Sequence, residues 1–484
     1  MSGSPPAVSR PPESAVRGAA LATIASAVFV ASGYAVNVWL GRLLGPVDYG
    51  RFGVILALMT VLNVVQSAAI PQATARFVAQ SPESGPGILR RGVELQLLIA
   101  FTLTILLAGL APVISELLGD EALTDLLRLM ALILPPYGLF TLLVAFHNGR
   151  RAYTRQVLTQ GAYSVAKVTM AIGLAYPLQL MGAIGGYVLA PLAAIAVGWQ
   201  RLWAPRAALP YRAILAFAAP VSVHALGSVG QLNVDIFFVK ALAPDSGAAG
   251  YYAAAQSLSR IPYFLLSGLA FILLPAVAAA AARGGPAVRS TTARAIRAAT
   301  LIVVPAAMLV ALTSGPLIEL FYSPSYAPGA GPLALLSVGM GVLALASVAA
   351  SVLIGVGKTA LTAATSLIGV AITVVLCLVL IPPLGGVGAA LATTAGATTS
   401  LAVLAGLMVR HVPHAIPVAS VARIALSTAI VGALVWAIPA RGPWLLAVYG
   451  AAALIGLGLL VLFREVDAGE LRMALAALRR RRDA

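Results

Sequence analysis

Residues 359–381 read TALTAATSLIGVAITVVLCLVLI, with no charged side chain among them. At 1.5 Å per residue a helix of that length crosses the ~30 Å hydrocarbon core of a bilayer. Comparable stretches recur from one end of the chain to the other. Of 484 residues, 60% are hydrophobic and 10% charged, whereas soluble chains carry roughly a quarter charged residues. The mean hydropathy is +0.97. A water-facing surface cannot be assembled from that composition. In lipid every backbone N–H and C=O must be satisfied inside a helix or a closed barrel, and long runs without alternation select helices.

On this basis the spans lie near 17–40, 52–71, 92–114, 126–147, 156–178, 182–203, 213–239, 250–281, 298–320, 331–355, 359–381, 386–409, 419–439 and 443–463. The expectation is an all-α integral membrane protein of about fourteen transmembrane helices. The positive-inside bias tests the count, since one missed helix would scramble the alternation of basic loops. With a cytoplasmic N-terminus, about 24 of the 31 Lys and Arg fall on the cytoplasmic side. They include Arg76, Arg90, Arg91, Arg150, Arg151, Arg155, Arg201, Arg206, Arg212, Arg283, Arg289, Arg294, Arg297 and the tail Arg479–Arg482. Both termini are therefore expected in the cytoplasm.

Residues 1–16, with Pro5, Pro6, Pro11 and Pro12, read as a disordered cytoplasmic segment, and the first span as a retained anchor. Residues 464–484 form a basic tail, either an amphipathic helix on the anionic inner leaflet or a solvated extension. The net charge of +16 is distributed between apolar runs rather than gathered on a soluble face, so no nucleic-acid partner is implied. Cys377 is the single cysteine and lies within an apolar run, so neither a disulfide nor a cysteine metal site is available. No HExxH, no GxxxxGK[ST] and no soluble catalytic domain is present. An enzyme, a cofactor and a metal are therefore not expected.

The chain aligns with itself at offsets of roughly 200 to 207 residues, by the anchors that follow. Gly50 and Phe52 match Gly250 and Tyr252, and Pro71 matches Pro275. The turn Gly182–Gly186 matches Gly385–Ala389, and Gly149-Arg150-Arg151 resembles Gly355-Val356-Gly357-Lys358. Six helices per copy is an even number, so the copies enter the membrane in the same orientation. The expected organisation is an N-lobe at 17–205, a C-lobe at 206–411 and two further helices at 412–463. Two similar lobes leave room for a cavity and for alternating access by rocking.

Polar side chains within spans are costly unless they face water or a partner, and so locate a cavity. In the seventh span His224, Ser228, Gln231 and Asp235 share one helical face. In the eighth, Tyr252, Gln256, Arg260, Tyr263 and Ser267 do the same. The first lobe offers Ser26 and Asn37, then Thr60, Asn63, Gln66 and Ser67. Arg260 and Lys167 are the cations placed deep in spans, and Asp235 and Glu94 the only acids placed within spans. A guanidinium pairs bidentately with phosphate oxygens and never deprotonates, so Arg260 with Lys167 is the candidate receptor for an anion. An Arg260–Asp235 ion pair is the structural alternative. The substrate-contacting set is Arg260, Gln256, Tyr252, Tyr263, Lys167, Gln231, His224, Asn63, Gln66 and Asn37. Asp235 is the candidate for coupling to a cation, and His224 reads as a packing residue or a proton relay.

The stretch Asn37–Phe52, NVWLGRLLGPVDYGRF, with Pro71–Arg76 and Gly250–Arg260, resembles the start of each lobe in polysaccharide-biosynthesis flippases of the Wzx type. That resemblance covers essentially the whole chain. It implies the multidrug/oligosaccharidyl-lipid/polysaccharide (MOP) exporter superfamily, a MATE/MOP-like fold and a cavity lined by helices 1, 2, 7 and 8. It also implies a substrate, an undecaprenyl-pyrophosphate-linked oligosaccharide flipped to the outer leaflet of the bacterial inner membrane for O-antigen, capsule or exopolysaccharide assembly. Membrane lipids, a glycan polymerase and other polysaccharide-assembly proteins are the implied partners. A cation-coupled multidrug exporter and a peptidoglycan-precursor flippase are alternatives within the superfamily. A membrane-embedded polymerase would need a long outer loop that this sequence lacks, and a Major Facilitator carrier would show Gly-x-x-x-Asp-Arg after its second helix.

Overall fold

The computed structural model describes residues 13–68, 70–199, 211–281, 283–438 and 442–465. Among them it contains no strand. The helices are α1 Glu13–Ala68, α2 Ile70–Gln80, α3 Gly85–Leu117, α4 Leu123–Ala131, α5 Leu134–Gly149, α6 Tyr153–Gly198, α7 Tyr211–Leu242, α8 Ala248–Ser259, α9 Ile261–Ala281, α10 Gly285–Leu312, α11 Ser314–Phe321, α12 Ala330–Gly355, α13 Thr359–His411, α14 Val418–Trp436 and α15 Trp444–Leu462. Residues 1–12 and 466–484, and with them most of the expected N-terminal segment and basic tail, lie outside the described residues. So does 200–210, where the boundary between lobes is expected.

Ten helical stretches of the described residues are long and apolar enough to cross a membrane. Three of them, Ala27–Gln80, Tyr153–Gly198 and Thr359–His411, run 46 to 54 residues, well beyond the ~20 a single crossing needs. Each contains a non-helical break among its described residues. The breaks are at Gly45 (φ 73°), followed by Pro46, at Gln179 (φ 50°), after Pro177, and at Gly385 (φ 55°), after Pro382 and Pro383. A proline removes one helical N–H and crowds the preceding turn, and a positive φ then redirects the chain. These breaks fall between consecutive expected spans, so hydropathy runs that seemed separated by loops are joined by single non-helical residues.

The second and third breaks are copies of one another. Gln179 and Gly385 are 206 residues apart, the difference of 179 and 385, and so are Pro177 and Pro383. A Cβ on Gly182 would run into the Leu174 carbonyl, and one on Gly388 into the Leu380 carbonyl, again 206 apart. The duplication seen in the sequence therefore returns as local structure, with one correction. Gly182 corresponds to Gly388 rather than to Gly385, a shift of three residues, because the backbone approach rather than the density of glycines sets the register.

The chain divides into two compact units. One contains residues up to 44 and 58–226, the other 45–57 and 227–484. In the first, Leu89, Leu142 and Phe146 form a core joining α2, α3 and α5. In the second, Val277, Ala299, Val303, Val348 and Val352 join α9, α10 and α12. Glu465, 2% exposed, ties the end of α15 to Arg297 of α10 at 2.8 Å and to Arg423 of α14 at 3.0 Å. Outward faces carry exposed leucines and isoleucines, for example Ile105 at 71% and Leu454 at 73%, as a helix bounded by lipid requires.

Candidate functional site

In the second unit the polar residues converge on Asp235, which is completely buried on α7. Its carboxylate accepts from the Tyr252 hydroxyl at 2.5 Å, the Thr393 hydroxyl at 2.7 Å, the Gln256 amide at 2.9 Å and the Ile236 backbone N–H at 2.9 Å. Four donors around one carboxylate offset much of the cost of burying a negative charge. They also join α7, α8 and α13 at one point. Tyr252 and Gln256, expected to contact substrate, are thus turned toward Asp235 and are themselves buried. All four of these hydrogen bonds are donated to the carboxylate. Among the described residues no three His, Cys, Asp or Glu are grouped to hold a metal.

Arg260 lies where α8 ends and α9 begins, just before Ile261-Pro262. The expected stripe Tyr252–Ser267 therefore spans two helices, with Arg260, itself in the right-handed helical region, at their junction. The Arg260 guanidinium donates to the Leu232 carbonyl at 2.5 Å and to Asn233 Oδ1 at 3.0 Å, which anchors a half-buried cation to α7. Asp235 feels its charge, but its hydrogen bonds come from the hydroxyls, the amide and the backbone named above. Gln231, on the same helix, donates to Ser400 of α13 at 2.7 Å, in the space that Gly369 leaves by having no side chain. Tyr263 is half-buried and edge-on to Phe264. His224 lies in α7, but its side chain, like those of Ser26 and Ser267, is outside the described residues.

In the first unit Lys167 is 4% exposed on α6. Its ammonium sits 4.9 Å from the Phe29 ring centre and 5.5 Å from that of Tyr163, and Phe140 stacks behind Tyr163 at 4.6 Å. Gly33 on α1 faces it, 3.8 Å from the position of a Cβ. Asn37, one turn on, donates back to the Gly33 carbonyl. Among the described residues no carboxylate lies within ion-pair distance of Lys167. Cation–π contact compensates a desolvated ammonium by about 2 kcal/mol, far less than the cost of burying the charge.

Elsewhere in that unit Gln66 and Gln96 meet beside Gly138, with Gln96 Nε2 3.4 Å from Gln66 Oε1. Asn63 Oδ1, one turn from Gln66, is buried without a hydrogen-bond partner among the described residues. Glu94 pairs with Arg91 at 3.1 Å and Arg90 at 3.7 Å, one and two turns into α3. Thr393, Asn233, Phe29 and Tyr163 were missed in the sequence. A threonine in an apolar helix and an aromatic in a span look like packing until their partners are known.

The sequence profile of the family described as polysaccharide biosynthesis protein matches residues 39–330. No curated protein matches the chain significantly. Among solved structures the chain is similar to the lipid II flippase MurJ in its inward closed conformation, with TM-score 0.76 and 16% identity over 92% of this chain and 98% of that one. It is similar to an inward-facing multidrug resistance MATE family transporter of the MOP superfamily, with TM-score 0.67 and 16% identity over 78% of this chain and 93% of that one. A MOP superfamily transporter from Pyrococcus furiosus, described as having a binding pocket of reverse polarity, gives TM-score 0.61 and 17% identity, covering 83% and 96%. At these identities the structures speak for the fold. The chain is a multi-pass, all-helical membrane protein with the MurJ/MATE fold, and it belongs to the polysaccharide biosynthesis protein family.

Proposed function

We propose that this protein is a flippase that carries a lipid-linked oligosaccharide with an anionic, pyrophosphate-type linkage from the cytoplasmic to the outer leaflet. The observation that carries the reading is Lys167, a buried ammonium boxed by Phe29 and Tyr163 and without a carboxylate among the described residues. An intramembrane charge left uncompensated by protein is retained for a ligand or a pathway, and a phosphate group has the complementary charge. Arg260, fixed to α7 by Leu232 and Asn233, is the second cation we assign to the headgroup. Anchoring a guanidinium in advance lowers the entropy cost of binding.

We further propose fourteen crossings, obtained by counting each of the three interrupted stretches twice and adding 248–281, with both termini cytoplasmic in a bacterial inner membrane. Alternating access by two lobes supplies the movement, and a glycan polymerase is the natural consumer of the product. The test is reconstitution in vesicles with three labelled candidates offered in parallel: an undecaprenyl-pyrophosphate oligosaccharide, a peptidoglycan lipid precursor and a cationic drug. The reading predicts leaflet exchange of the first. Transport of the cationic drug alone, or of the peptidoglycan precursor alone, contradicts it.

A further inference from the structure

The turn that joins α5 to α6 is built twice. In the first copy the backbone N–H groups of Arg150, Arg151 and Ala152 donate to the carbonyls of Phe146, Asn148 and His147. In the second, those of Val356, Gly357 and Lys358 donate to Val352, Ile354 and Leu353, every partner 206 positions on, as 356 is from 150. Gly149 and Gly355 open the two turns. A Cβ would lie 2.6 Å from the Ala75 carbonyl oxygen on the first and 2.7 Å from a Val277 methyl on the second. The third residue of each turn is left-handed, Gly357 at φ 82° and Arg151 at φ 56°. Glycine takes that conformation freely, whereas a side chain is strained by it. The first copy thus holds an arginine where the backbone asks for glycine. Membrane topology asks only for basic residues somewhere in this loop. Arg150 and Arg155 already supply them, so topology does not account for a strained arginine between the two.

All three arginines are exposed, and among the described residues none of them has a carboxylate within ion-pair distance. The Arg150 guanidinium lies over the Phe146 ring at 5.7 Å, and Arg150 and Arg155 both act electrostatically on the buried His147. Arg155 also begins an exposed face of α6, which continues at helical spacing through Leu158, 56% exposed, and Val165, 62% exposed. On a membrane-spanning helix such a face borders lipid. An apolar stripe that runs up to unpaired guanidinium groups complements both parts of a phospholipid, its chain and its phosphate. The guanidinium fork matches phosphate oxygens, and basic clusters at the end of a span attract anionic headgroups.

We propose that Arg150, Arg151 and Arg155 bind the phosphate of an anionic phospholipid whose acyl chain lies along Leu158 and Val165. The site uses neither Lys167 nor Arg260 and holds for any transported substrate.

The test titrates the detergent-purified full chain with phosphatidylglycerol and, separately, with phosphatidylcholine, and counts bound lipid by native mass spectrometry. Phosphatidylglycerol is expected to bind the more tightly. Arg151→Gly installs the residue that the second copy holds there and so keeps the turn. It is expected to weaken phosphatidylglycerol binding about 5-fold, as is Arg155→Gln, with phosphatidylcholine unaffected. Lys358→Gln in the sister turn is expected to leave the binding of both lipids unchanged. Equal binding of the two lipids, an unchanged preference in folded Arg151→Gly and Arg155→Gln proteins, or an equal loss in Lys358→Gln overturns the site. So does displacement of phosphatidylglycerol by inorganic phosphate at the same concentration, which would mark a site for free anions. No transport is measured, so the result is independent of whether the flippase reading stands.

Discussion

Asp235 draws four donors from three helices, and its loss should be felt as stability. Asp235→Asn turns an N–H toward donors that have lost their acceptor, at a cost of about 1–3 kcal/mol. Tyr252→Phe removes one bond and costs about 1 kcal/mol. Thermal unfolding in detergent reads both, and an Asp235→Asn protein as stable as the parent would remove the structural role. Gln179 supplies the opposite sign. It holds φ 50° and ψ −133°, a conformation that suits glycine and strains any side chain, and its duplicate position is Gly385. Gln179→Gly should stabilise the fold by about 1 kcal/mol in the same assay. Destabilisation would mean that the Gln179 side chain makes a contact worth more than the strain.

At the scale of elements, the breaks in α6 and α13 are held open by two glycines that abut carbonyls eight residues earlier. Gly182→Ala and Gly388→Ala should therefore each cost about 3 kcal/mol and lower the folded yield alike. A large effect at one and none at the other would argue against their equivalence. Much at this scale was legible in advance. Apolar runs such as 359–381 report helices because lipid leaves the backbone no alternative. The helix breaks were legible only as gaps, since hydropathy records where a run ends and not whether the chain loops or merely kinks. The polar stripes were legible as stripes but not as partners. Periodicity places Asp235 and Gln231 on one face of α7, but it cannot say that Tyr252 from α8 and Thr393 from α13 close over the acid. The box around Lys167 was invisible for the same reason. Phe29, Tyr163 and Lys167 are spread over 138 positions, from 29 to 167, and only packing brings them together.

For the whole molecule, the repeated break relates α6 to α13 by 206 residues. On the proposed fourteen crossings the C-terminus lies on the side of the N-terminus. A fluorescent reporter fused after residue 484 should fold and emit in the cytoplasm, whereas an alkaline phosphatase fused there should be inactive. The reverse pattern would contradict a cytoplasmic C-terminus. The central claim is that the two fixed cations serve an anionic headgroup, and initial rates of lipid-linked oligosaccharide translocation in reconstituted vesicles test it most directly. Lys167→Met and Arg260→Ala should each lower the rate about 10-fold or more, equivalent to at least ~1.4 kcal/mol of lost interaction. Lys167→Arg, which keeps the charge, should retain most of it. Unchanged translocation by folded Lys167→Met protein would contradict the account.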